Sequence, residues 1–135
     1  MNIYESESRI NNCLSIINKE YKGIKSFKLI HLGVNSTLFE LKHFDNQKSI
    51  IKMYPNFSND NRNRLDNEKI LLNFLEINSI KNCPKVYYTN KKENFSVFSF
   101  IEGNKVNNPN LINIEKIAEF AFAINKFKFN KESEL

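Results

Sequence analysis

The chain has 135 residues, which is enough for one domain with a sizeable core. Its formal net charge is +5, and the basic residues are spread along the chain without a dense block or a nucleic-acid-binding motif, which argues against nucleic acid as the partner. No apolar run is long enough to span a bilayer, and residues 1–5 are too polar for a signal peptide, so we expect a cytoplasmic protein that does not bind membranes.

The first half of the chain is predicted to form one helix followed by three strands. Residues 5–21 have helical periodicity, because Ile10, Leu14 and Ile17 fall on one face and Gly23 follows as a stop. Three strand patterns come next in succession, over residues 26–32, 37–43 and 48–54. A turn at 33–36 joins the first two strands, and a hairpin at 45–46 joins the second to the third.

The second half begins with a helix, predicted over residues 62–78, and continues with strands at 85–89 and 95–101. A polar linker at 104–110 then leads to a final helix at 111–127. The apolar residues of that helix share one face: Ile114, Ile117, Ala118, Ala121 and Ile124. The order predicts an α+β fold, with a five-stranded, mostly antiparallel sheet, one helix between the third and fourth strands, and a helix at each end.

One lysine in the third strand is the most informative residue of the chain. Lys52 lies within the apolar run 49–54, and a strand so placed is expected to bury both its faces. Burying an ammonium group without a nearby anion costs on the order of several kcal/mol in free energy of folding. The anion can be a carboxylate from a neighbouring helix, the phosphates of a nucleotide, or both.

The helix at 62–78 offers a carboxylate. Glu68 falls on the same face as Leu65 and Leu72, at three- and four-residue spacing, so it points to the core as Lys52 does. A Lys52–Glu68 pair would neutralise both groups and hold the ammonium towards a phosphate. The alternative is that Glu68 sits at the edge of the apolar stripe and is solvated, as most helix glutamates are.

The order of these features resembles the amino-terminal lobe of the protein-kinase-like fold, as found in aminoglycoside phosphotransferases and choline kinases. Five stretches carry the resemblance: residues 32–36 for the phosphate-covering turn, 51–54 for the lysine strand, 64–68 for the helix, 83–86 for the entry to the fourth strand, and 100–103 for the hinge. The resemblance covers about residues 25–128. It implies an amino-terminal helix at 1–24, a nucleotide-binding lobe at 25–103, and a linker with the start of a second lobe at 104–135.

The resemblance also implies roles for individual residues in ATP binding. Lys52 would reach the α- and β-phosphates, and Glu68 would orient it. The turn residues Gly33, Asn35 and Ser36 would cover the phosphates, in a loop poorer in glycine than that of protein kinases. Backbone groups of Ser99 and Ile101 would read adenine, with Phe98 behind them. Without the family pattern, Gly33 and Ser36 are ordinary turn residues and Phe98 is ordinary core.

The catalytic elements of that family are missing from the sequence. Their aspartate lies in a His-x-Asp-x-x-x-x-Asn pattern, and a later aspartate binds Mg²⁺. The chain has three aspartates, and its one partial match, His43-Phe44-Asp45, lies in the predicted hairpin with Ile50 at the asparagine position. We therefore expect an ATP-binding lobe of a kinase that phosphorylates a hydroxyl of an amino-sugar, an amino-alcohol or a similar metabolite, with Mg²⁺ bound only when a second lobe is present.

A non-catalytic role is the alternative. The same fold can serve as an interaction module or a pseudokinase-like fragment, with Phe127 and Phe129 near the end of the last helix as its docking face. The partner would be a carboxy-terminal lobe or a second copy of the chain. Cys13 and Cys83 match no metal-ligand spacing and are expected to be free thiols, so no metal site is predicted.

Overall fold

The computed structural model describes residues 3–20, 23–55, 62–104 and 106–131, and within these it leaves out the side chains at 3–5, 19–20 and 127–131. The protein has an α+β fold with three helices and one five-stranded antiparallel sheet. The elements in chain order are α1 Ile3–Glu20, β1 Ile24–Leu32, β2 Thr37–His43, β3 Lys48–Met53, α2 Arg64–Ile77, β4 Val86–Asn90, β5 Phe95–Ser99 and α3 Leu111–Lys131. The strand order in the sheet is β1-β2-β3-β5-β4.

The predicted elements all form, with shifted ends. The prediction that the fifth strand reaches Ile101 is wrong, since β5 ends at Ser99. The reason is the register: Ser99 pairs with Ser49, and β3 begins only one residue earlier, at Lys48, where the chain leaves the hairpin. Beyond Ser99 there is almost no strand left to pair with, so residues 100–103 leave the sheet.

One face of the sheet is covered by α1. Its apolar stripe of Ile10, Cys13, Leu14 and Ile17 packs against inward-facing residues of the three central strands: Phe39, Leu41, Ile51, Met53, Phe95 and Val97. Alternation along β3 explains which residues take part, because Ser49, Ile51 and Met53 point to α1 and are buried. Ile50 and Lys52 point to the opposite face and are only half-buried. The prediction that both faces of β3 are fully buried is therefore wrong for the face that carries Lys52.

The opposite face of the sheet is covered in part by α2. Leu72 and Leu75 of α2 pack against Phe98 of β5, and this cluster includes the half-buried Ile50 and Val86. Asn63 caps the helix, because its side-chain oxygen accepts a hydrogen bond from the backbone N–H of Asp66, 3.1 Å away. Since the cap and the leucines fix both the start and the rotation of α2, the face that carries Glu68 is directed at the sheet.

The final helix is exposed along most of the part whose side chains the structure describes. Ile124 joins the cluster around Leu72, but most of the other apolar side chains of α3 are exposed: Leu111, Ile112, Ile114, Ile117, Phe120 and Phe122. The apolar face predicted from periodicity exists, yet of its members only Ile124 is part of the core. The side chains of Phe127 and Phe129, the predicted docking residues, lie outside the described part of the chain. Within that part, no helix combines the length and apolarity needed to cross a membrane.

Candidate functional site

Lys52 and Glu68 form an ion pair on the α2 face of the sheet. The Lys52 Nζ lies 2.9 Å from Glu68 Oε1 and 2.6 Å from Oε2, so the ammonium contacts both carboxylate oxygens. The predicted pair is confirmed, and the alternative of a solvated Glu68 is wrong. The two side chains are 23% and 29% exposed, which means that the pair is partly shielded but still open to solvent.

Two local features bring the pair together. Lys52 sits between Ile51 and Met53, which face α1, so alternation turns its side chain to α2. Glu68 lies three residues after the buried Leu65 and therefore on the same side of the helix. A second contact anchors this end of α2, since Lys91 Nζ lies 2.8 Å from Asp66 Oδ2. The side-chain amide of Asn63 and the ammonium of Lys91 lower the pKa of the Asp66 carboxyl, with the Lys91 hydrogen bond as the largest cause.

Tyr54 is a third member of the site that the sequence prediction missed. Its Oη donates a hydrogen bond to Glu68 Oε2 at 2.8 Å, and the centroid of its ring lies 5.3 Å from Lys52 Nζ. The side chain is 2% exposed. Burial, followed by the negative charge of Glu68 and the hydrogen bond to it, raises the pKa of the Tyr54 phenol far above its usual range. The signal was available, because Tyr54 comes two residues after Lys52 and alternation puts both on one face.

The contact with Glu68 does not occupy every donor of the Lys52 ammonium. A lysine ammonium has three N–H donors, and the two oxygens of one carboxylate occupy at most two of them. The Lys52 side chain is 23% exposed, so it is not fully enclosed by the core. The carboxylate of Glu68 holds the ammonium in one place and leaves at least one of its donors that Glu68 does not occupy.

The turn at residues 33–36 lies at the same end of the sheet as Lys52. Leu38 pairs with Lys52 and Thr37 with Met53, so the turn that precedes β2 begins where this end of β3 lies. The turn is closed by a hydrogen bond from the Gly33 N–H to the Ser36 carbonyl at 3.1 Å, and Asn35 is exposed. A Cβ at Gly33 would meet the far end of the exposed His31 side chain, which can turn aside, so the space at this position does not by itself require glycine. The structure thus brings the predicted turn residues to the lysine end of the site.

The predicted adenine-reading residues lie at the other end of β3. Ser99 pairs with Ser49, three residues from Lys52, which corresponds to a separation of about 10 Å along the strand. The Ser99 N–H donates to the Lys85 carbonyl at 2.9 Å and is therefore not free to donate to a ligand. Phe98 is buried in the α2 cluster, and Ile101 is exposed beyond the end of β5. Phe98 is thus a core residue and does not lie on the exposed surface next to Lys52.

Leu38 and Ile50 are two further residues of this surface that the sequence prediction missed. Leu38 pairs with Lys52 across the sheet, and Ile50 precedes Lys52 by two residues on the same strand, so all three share one face. Both are half-buried. Ile50 makes the surface between Lys52 and the end of β5 apolar, and Leu38 does the same on the β2 side of Lys52. Alternation counted outward from Lys52 would have found Ile50, whereas Leu38 also requires the register between β2 and β3.

A separate cavity lies on the α1 side of the sheet. It has a volume of about 300 Å³ and is lined in part by Ile17, Leu41, Val97 and the pair His43 and Ser49, whose Nε2 and Oγ atoms are 2.8 Å apart. These side chains face away from Lys52, so the cavity does not belong to the site around the ion pair.

Comparison with known proteins adds no relative. None of the protein-family models against which the chain was scanned matches it, and no curated protein matches it. Among the described residues, no group of three or more His, Cys, Asp or Glu side chains is placed to hold a metal ion. The candidate site is therefore defined by the geometry around Lys52 alone.

Proposed function

We propose that this chain is the ATP-binding lobe of a small-molecule kinase that resembles the aminoglycoside phosphotransferases and choline kinases. The observation that carries the proposal is the contact of Lys52 with Glu68, made between the third strand and the following helix of a sheet ordered β1-β2-β3-β5-β4. The acceptor would be a hydroxyl on an amino-sugar, an amino-alcohol or a similar metabolite. This kinase-like lobe would extend over residues 25–103.

The chemistry of phosphoryl transfer explains why such a pair is useful. The protein mainly positions the phosphates and neutralises their charge. Lys52 would hold the α- and β-phosphates of ATP, with Glu68 fixing the direction of the ammonium. The turn at Gly33, Asn35 and Ser36 would cover the phosphates through backbone and side-chain groups. The adenine would lie against Leu38 and Ile50, near the carbonyl of Ser99 and the backbone of Ile101.

Transfer to an acceptor needs groups that we assign to a carboxy-terminal lobe. A general base must take the hydroxyl proton, and carboxylates must hold Mg²⁺. Such a lobe would approach the Lys52 face of the sheet and contact α3. The chain alone is therefore expected to bind ATP weakly and not to turn it over.

An ATP titration of three proteins tests the proposal. Lys52→Ala removes a charge-assisted hydrogen bond to phosphate, of about 1.5–3 kcal/mol, so the dissociation constant should rise roughly 10- to 150-fold. Lys85→Ala is the matched control, because Lys85 also pairs with an acid of α2, Glu76, but at the surface and away from the turn. Circular dichroism of each variant checks the fold. Equal affinity of the wild type and Lys52→Ala would count decisively against a nucleotide site here.

A second candidate is a non-catalytic interaction module, and the exposed apolar side chains of α3 favour it. Sedimentation of the wild type and of Phe122→Asp distinguishes the two roles. Self-association that this substitution abolishes, in a chain that does not bind ATP, would support the interaction module. A monomer that binds ATP would support the kinase lobe.

A further inference from the structure

The Glu68 carboxylate has two donors rather than one. Lys52 contacts both of its oxygens, and the Tyr54 Oη donates to Oε2 at 2.8 Å. The two donors differ in mobility. Lys52 has a long side chain that is 23% exposed, whereas Tyr54 is 2% exposed and has two side-chain torsions.

Tyr54 is itself held from several sides. Its backbone N–H donates to the Asn94 carbonyl at 2.9 Å, so the backbone pairing of β3 with β5 extends one residue beyond the end of β3. Its phenol oxygen is held by Glu68 Oε2, and the Ser96 side chain partly offsets the rise of the phenol pKa that burial and Glu68 cause. A buried hydroxyl fixed in this way is a preorganised donor, because little freedom is lost when it binds the carboxylate.

A problem of charge arises when a phosphate binds Lys52. The ammonium must then share its donors between the phosphate and Glu68, and the contact to the carboxylate weakens. A partly buried carboxylate that loses its cation would move towards solvent unless another donor holds it. The hydrogen bond from Tyr54 is that donor, and it does not compete for the phosphate, since the phenol lies within the core.

We propose that Tyr54 is a positioning residue, which holds the Glu68 carboxylate in place so that Lys52 stays directed at its ligand. This inference rests on the proposed ATP site for its purpose, but the positioning itself can be measured without ATP. Tyr54→Phe is the appropriate variant, because it keeps the buried ring and its contact with the ammonium and removes only the hydroxyl.

The first measurement is a double-mutant cycle on ATP affinity. Tyr54→Phe should weaken ATP binding about fivefold in the wild-type background, a change in the usual range for residues in contact. In the Glu68→Ala background the same substitution should change the affinity less than about twofold, since the residue through which Tyr54 acts is gone. Equal losses in both backgrounds would show that Tyr54 acts only through packing, and would overturn the proposal.

The second measurement follows the reactivity of individual lysines in the absence of nucleotide. An amine-reactive reagent, read out by mass spectrometry, should modify Lys52 faster in Tyr54→Phe than in the wild type, with Glu68→Ala as the upper limit. Lys85 serves as the internal control and should react at one rate in all three proteins. A Lys52 rate that is unchanged or lower in Tyr54→Phe contradicts the positioning role. If ATP fails to bind even the wild type, the proposed function fails while this second measurement still decides the role of Tyr54.

Discussion

Replacing Glu68 with alanine removes the acceptor of two donors at once, and the structure allows its cost to be worked out. The Tyr54 hydroxyl is left buried without its carboxylate partner, which costs about 1–3 kcal/mol. The Lys52 ammonium loses its counter-ion. Removing one partner of a fully buried pair costs about 3–5 kcal/mol, and exposed pairs contribute about 0–1 kcal/mol. Because Lys52 is 23% exposed and can be hydrated, we take about 1–2 kcal/mol for this part.

The sum predicts that Glu68→Ala lowers the free energy of unfolding by about 2–5 kcal/mol. For a chain of this length, that corresponds to a fall in melting temperature of roughly 7–18 °C. Urea denaturation followed by circular dichroism measures the free energy directly, and a slope equal to that of the wild type confirms that the same surface is exposed on unfolding.

Glu76→Ala is the matched control for this experiment. Glu76 lies on the same helix and pairs with Lys85 at 2.9 Å, but the two side chains are 48% and 63% exposed, so its loss should cost less than about 1 kcal/mol. If Glu68→Ala were no more destabilising than Glu76→Ala, the shielding of the Lys52–Glu68–Tyr54 cluster would be refuted, and with it the reasoning from burial.

Three further predictions concern the core. Burial raises the pKa of the Cys13 thiol to about 11, so the folded state keeps a proton that the unfolded state loses above about pH 9. The free energy of unfolding should therefore fall between pH 9 and 11, and Cys13→Ala should flatten this part of its pH dependence. A thiol reagent should label Cys83 before Cys13. Leu75→Ala should lower the free energy of unfolding, measured by urea denaturation, by about 2–4 kcal/mol, because Leu75 is buried. Ile77 is exposed, so Ile77→Ala should lower it by less than about 0.5 kcal/mol. Among the described residues the buried Thr37 hydroxyl has no hydrogen-bond partner, so Thr37→Val should stabilise the protein by up to about 1 kcal/mol, and a lower unfolding midpoint would contradict this.

Local patterns were sufficient for the elements, and they identified Lys52 and Glu68 as candidates for an ion pair. The turn residues, the period-two strands and the apolar stripe of α2 can each be recognised from residues that are close together in the sequence. The same patterns left the pairing of Lys52 with Glu68 as one of two alternatives, beside a solvated Glu68, and the order of elements shared with the kinase-like lobe favoured the pair. The roles of Gly33, Asn35, Ser36, Ser99 and Ile101 in ATP binding remain predictions.

Long-range packing decided the rest. Tyr54 became a partner of Glu68 only because α2 docks against the end of β3, and β5 ended at Ser99 because the register with β3 leaves almost no strand beyond it. Sequence alone determined which residues of this protein are apolar and at what period they recur. The tertiary structure determined which of those apolar faces are covered, as α1 is and most of α3 is not, since coverage depends on residues far apart in the chain.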